Sequence, residues 1–182
     1  MPSLLLDIES SALRDGFPLE IAWCDCEAGA PEAYLIRPPR RWLSARVWDE
    51  VSATVHGIPL SRLLGEGTPI RQVADRVRIA LSGVSVYSDA PHQDQGWLDL
   101  LMHCAGHPAP KIEPIERLWA TALPAGPATA DLAERAAALA ALVTAAEAGV
   151  GQPAHRAGAD VLRLRRIWHA LPRGREAISG GT

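Results

Sequence analysis

A chain of 182 residues, 48% apolar and 21% charged, can bury one sizeable core but is cramped for two full domains, and its composition excludes wholesale disorder. Its net charge of -3 excludes a surface that is basic throughout, so any phosphate binding must be local. No apolar run reaches the roughly 18 to 20 residues that span a bilayer. Asp7 and Glu9 interrupt the N-terminal run and Met1-Pro2-Ser3 carries no positive charge, which argues against a signal peptide. Three cysteines are an odd number, and Cys24 and Cys26 stand too close for an easy bridge, so a cytoplasmic, reducing location is expected.

In chain order, residues 3–8 read as a strand, Arg14-Asp15-Gly16 as a turn, residues 18–26 as a second strand and residues 32–37 as a third, closed by Pro38-Pro39. Residues 42–64 read as irregular with short helical turns. Apolar residues at Ile70, Val73, Ala74, Val77 and Ala80 predict an amphipathic helix over 70–81. A short strand follows at 84–87, then a helix over 93–104 with Trp97, Leu98, Leu101 and Met102 on one face, and a strand over 111–118. The Ala-, Leu- and Glu-rich stretch 131–149 is a helix, opening on an acid and closing on Gly. A last helix runs from about 155 to 170. Residues 1–171 are expected to form one domain and 172–182 a frayed tail. Three antiparallel strands followed by alternating helices and strands predict an α/β fold on a mixed sheet, with its chemistry at the ends of the central strands.

Asp7 and Glu9 are the informative residues. In a strand they point to one side, about 6.6 Å apart along the chain, inside a run that would ordinarily be apolar. Unpaired acids so placed repel and lose hydration, so a divalent cation between them is the expected partner. A hard cation needs further oxygen ligands. Asp94, at the start of a helix, and Asp160, at the opening of the last, qualify. Each also has a bland reading: Asp94 as a helix N-terminal acid favoured by the macrodipole, Asp160 as the partner of Arg163 or Arg156 on the helix surface. His155 and Asp160 diverge within one helix and converge only if His155 lies in the preceding loop, which Gly151-Gln152-Pro153 favours.

Asp7-x-Glu9, then Asp94-x-x-Trp97-Leu98, then His155-x-x-x-x-Asp160, in this order and spacing, resemble the three motifs of the DnaQ-like DEDDh 3'-5' exonuclease family. Ile8-Glu9-Ser10-Ser11-Ala12-Leu13 resembles the surroundings of the first motif, and Val55-His56-Gly57-Ile58 an element between the first two. The resemblance implies an RNase H-like mixed sheet, an antiparallel meander of three strands plus parallel strands, flanked by helices. It also implies two Mg²⁺ or Mn²⁺ ions held by Asp7, Glu9, Asp94 and Asp160, with His155 as general base. Ser10, Ser11, Leu13 and His56 would cradle the terminal nucleotide. The second motif departs from the commoner form, so Asp89 competes with Asp94; Trp97 and Leu98 favour Asp94.

The expected activity is release of 5'-mononucleotides from single-stranded DNA, RNA or short oligonucleotides, with a homodimer open. The alternatives are a catalytically silent nucleic-acid-binding or scaffold protein of the same fold, and a hydrolase of small phosphodiesters. His103, Cys104 and His107 lack a fourth ligand at zinc-site spacing. Arg163, Arg165 and Arg166 read first as a solvated face, and Arg40-Arg41-Trp42 as either a solvated face or a grip on a single strand by charge and stacking.

Overall fold

The computed structural model describes residues 2–123 and 131–172. Its centre is a six-stranded sheet in the order β4-β3-β2-β1-β5-β6. The strands β1 (Ser3–Ser10), β2 (Pro18–Asp25) and β3 (Glu32–Arg37) form the antiparallel meander. β4 (Thr68–Pro69) joins β3 in parallel, and β5 (Ser85–Ser88) and β6 (Ile112–Pro114) extend the other edge in parallel from β1. This is the α/β mixed sheet that the sequence predicts.

The short helical turns expected over 42–64 are three short helices, α1 (Arg40–Ala45), α2 (Glu50–His56) and α3 (Leu60–Glu66). The predicted helices appear as α4 (Ile70–Ala80), α5 (Pro91–Ala105), α7 (Leu132–Val150) and α8 (Ala157–Ala170). The strand expected over 111–118 is a correction. Pairing stops at Pro114, which has no N–H to give a ladder and instead precedes α6 (Ile115–Trp119). The last helix starts at Ala157, leaving His155 in the loop. Of the expected tail, residues 173–182 lie outside the described residues.

Period-two alternation divides the core between the two sheet faces. Leu6, Ile8, Ile21 and Trp23 pack with Val73 and Val77 of α4 and Leu98, Leu101 and Met102 of α5. Leu5, Ala22 and Cys24 pack on the other side with Val161, Leu164 and Ile167 of α8. Asp7 and Glu9 continue the Leu5 side of β1, so the register that buries Leu5 beneath α8 also aims both carboxylates toward that helix. A smaller cluster of Phe17, Leu19, Trp42, Ile58 and Leu63 supports the short helices. Trp42 is buried there with its ring 5.8 Å from that of Phe17. It is therefore unavailable to stack on a nucleic-acid base, which removes the stacking part of the alternative reading of Arg40-Arg41-Trp42 and leaves Arg40 and Arg41 as exposed charges.

Candidate active site

The C-terminal end of β1, the start of α5, the start of α8 and the exposed side of α2 surround a cleft of about 450 Å³. Asp7, Glu9, Asp94 and Asp160 all line it, as does His155. Ser10, Leu13 and His56 form part of its wall. Asp7, Glu9 and Asp160 each offer a carboxylate oxygen within 4.8 Å of the others, and they are the one group of three or more potential metal ligands among the described residues. The His103, Cys104 and His107 set forms no such group; His107 Nε2 lies 2.7 Å from Asp75 instead.

Asp160 does not pair across the helix surface. It is buried, and its two oxygens accept the backbone N–H groups of Ala154 (2.8 Å) and Arg156 (3.1 Å). These bonds fold the loop back over the first turn of α8 and bring His155 to the cleft with φ at 52°. A non-glycine residue enters that left-handed region only where its surroundings hold it. With His155 in the loop rather than the helix, His155 and Asp160 both line the cleft.

Asp94 comes from the opposite layer. It sits in the first turn of α5, only 3% exposed, and accepts the Ser88 hydroxyl. It lies outside the tight triad but is the strongest charged neighbour of Asp7. Asp89 also lines the cleft, but exerts less on Asp7 than Asp94 and Glu9 do.

The electrostatics suit a cation. Burial, followed by the charges of Asp94, Glu9, Asp89 and Asp160, pushes the Asp7 carboxyl well above its ordinary range. Burial and the neighbouring Asp160 and Glu20 push Glu9 up to about 7, opposed by Arg156. Asp94 is pushed up to about 7, mainly by burial. Asp7 Oδ2 is buried with no hydrogen-bond partner among the described residues. An orphaned carboxylate oxygen within an all-oxygen donor set fits a hard divalent ion such as Mg²⁺ or Mn²⁺.

The loop after β1 builds the outer wall. Ser11 N–H donates to Phe17 O, Val47 N–H to Asp15 O and Asp49 N–H to Ser11 O. Gly16 is required at the turn, because a Cβ there would lie 2.6 Å from Ala12 O. Ser11 is the one expected substrate residue absent from the cleft wall. Its hydroxyl donates to Val47 O (2.7 Å) and accepts from Phe17 N–H (2.9 Å). Its side chain anchors the loop that holds Leu13, 71% exposed, at the cleft mouth. Val51 and Val55 of α2 and Trp97 of α5 add apolar surface.

Asp49 caps α2 by accepting from Val51 N–H and Ser52 N–H, and Gly57, with φ at 62°, ends it immediately after His56. His56 Nδ1 accepts from Ile58 N–H at 3.0 Å. That bond assigns the ring proton to Nε2 of the neutral ring, the form that burial favours.

Near this site the sequence reading misplaced Arg163 and passed over Glu20. Arg163 does not belong to a solvated face: its side chain is 12% exposed, lines the cleft and donates from Nε to Gly151 O at 2.9 Å. Glu20, 5% exposed, pairs with Arg156 behind the triad. Its signal was the one that exposed Asp7 and Glu9, a carboxylate inside an apolar run, Pro18-Leu19-Glu20-Ile21-Ala22-Trp23.

No protein-family model and no curated protein sequence matches the chain. Solved structures do match it. Escherichia coli exonuclease I in complex with a dT13 oligonucleotide aligns over 96% of this chain and 41% of its own, with a TM-score of 0.66 at 14% identity. The zinc-bound form of the same enzyme with single-stranded DNA gives the same values. A moderately thermophilic exonuclease I from Methylocaldum szegediense aligns over 96% of this chain and 41% of its own, with a TM-score of 0.64 at 16% identity. The chain thus spans about two fifths of the length of these enzymes. At this identity the likeness is one of fold: the chain carries the α/β, RNase H-like fold of the exonuclease I nuclease domain.

Proposed function

We propose that the protein is a metal-dependent 3'-5' exonuclease that releases 5'-mononucleotides from single-stranded DNA, RNA or short oligonucleotides. The observation that carries this reading is the convergence of Asp7, Glu9 and Asp160 within 4.8 Å in a cleft shared with Asp94 and His155. The exonuclease fold and the oligonucleotides bound to its structural relatives support it.

Asp7, Glu9, Asp94 and Asp160 would hold two Mg²⁺ or Mn²⁺ ions, whose chemistry is to activate water and to offset charge on the phosphate and leaving oxygen. The residues supply the remaining work. His155 accepts the proton of the attacking water as the new P–O bond forms and the P–O3' bond breaks. Leu13, Val51 and Val55 cover the apolar faces of the terminal nucleotide at the cleft mouth. The cleft, about 450 Å³, suits the last nucleotide of a strand rather than a long stretch of polymer.

The test is a denaturing-gel time course on 5'-labelled single-stranded DNA and RNA with Mg²⁺ or Mn²⁺, with EDTA and Asp7→Ala as controls. A ladder shortening from the 3' end in the wild type alone is expected. Full activity in folded Asp7→Ala would refute the assignment.

A further inference from the structure

In the β1–β2 register Glu9 stands directly opposite Glu20. Two carboxylates facing each other across an antiparallel pair repel, so Glu20 needs a compensating partner. Its Oε2 accepts from Arg156 Nε at 2.9 Å and its Oε1 from Arg156 Nη2 at 2.7 Å. Oε2 also accepts the Ala157 N–H at 3.0 Å. A two-pronged guanidinium–carboxylate contact fixes direction as well as distance.

Arg156 and Ala157 immediately follow His155. The loop is therefore tied at three points: to β2 through Glu20, to Asp160 through the Ala154 and Arg156 amides, and to α8 through the bond from Arg163 to Gly151. Of these ties, only Glu20 fastens the loop to the sheet that carries Asp7 and Glu9. His155, in its left-handed conformation, sits between the tied residues.

We propose that Glu20 is a positioning residue, which through Arg156 fastens the 153–157 turn to the sheet and so holds His155 against the carboxylate cluster. Its effect on rate rests on the exonuclease reading; its effect on the loop does not.

Glu20→Gln keeps the shape and removes the charge, while Arg156→Lys keeps the charge and removes the fork. Each is expected to lower kcat by about 10- to 100-fold, the usual scale for a group that orients an active-site residue. KM for a single-stranded oligonucleotide should stay within about threefold of wild type, because substrate binding is not the property altered. Adding Glu20→Gln to His155→Ala should cost nothing further, since the first acts through the second.

In EDTA-treated protein, the Ala157 amide, which donates to Glu20, should exchange hydrogen at least about tenfold faster in both single variants, while β1 amides keep their wild-type protection. Wild-type protection at Ala157 in both variants would overturn the proposal whatever the rates show. So would multiplicative losses in the double variant. If wild-type protein fails to cleave, the exonuclease reading falls and the exchange result alone decides the role of Glu20.

Discussion

Raising the pH of the metal-free protein from about 5.5 to about 8 should destabilise it, because the buried Asp7, Glu9 and Asp94 carboxyls must ionise inside the fold. Burial and neighbouring acids push Glu9 from 4.5 to about 7, and burial pushes Asp94 from 3.8 to about 7. Both pKa values are higher folded than unfolded, so the folded state binds more protons between the two. Their contribution is full below the unfolded values and is lost as pH rises through about 7. One pH unit of such difference is worth about 1.4 kcal/mol. Asp94, being buried, would contribute about 4 kcal/mol over its whole range, and Glu9, more open to water, about 2 after allowance for screening. About half of this falls between pH 5.5 and 8, or roughly 3 kcal/mol, which is about 6 to 12 °C of melting temperature at this chain length.

His56 opposes the trend, because burial lowers its pKa and its penalty appears only as pH falls. Asp94→Asn isolates the carboxyl contribution and should flatten the profile. Scanning calorimetry in EDTA across this range measures both proteins. Saturating Mn²⁺ should raise the wild-type melting temperature more at pH 8 than at pH 5.5, since cation and protons compete for the same oxygens. A wild-type melting temperature in EDTA that holds or rises with pH, with Asp94→Asn tracking it, would refute the reasoning.

His155→Ala should slow hydrolysis by about 10²- to 10⁴-fold while leaving Mn²⁺ binding by calorimetry unchanged; loss of metal binding in this variant would assign the ring a different role. Ser11→Ala removes both hydrogen bonds of a hydroxyl only 1% exposed. It should cost about 1 to 3 kcal/mol in urea unfolding and raise KM by loosening the loop that carries Leu13. An unchanged denaturation midpoint would show that the loop holds without it.

The meander, the helices at 70–80, 91–105 and 132–150, and the candidate ligands were legible from the sequence. Alternation and helical spacing are local properties, and acids inside an apolar run are conspicuous at any distance from their partners. Legibility failed where local signals conflicted or where the partner was remote. Residues 111–118 carry, besides Pro114, only Ile112, Ile115 and Leu118 as apolar side chains, a three-residue spacing that suits a helix, and Pro114 ends the ladder after three residues. Nothing adjacent to Trp42 in sequence shows that Phe17 buries it, and Ser11 and Glu20 take roles set by Val47 and Arg156, 36 and 136 positions away. Which side of β1 bears the carboxylates follows from alternation alone, because a two-residue period admits no other arrangement once Leu5 is buried. That Asp160 completes the triad and His155 reaches the same cleft depends on the docking of α8 on the sheet and the left-handed turn before it, which are products of long-range packing.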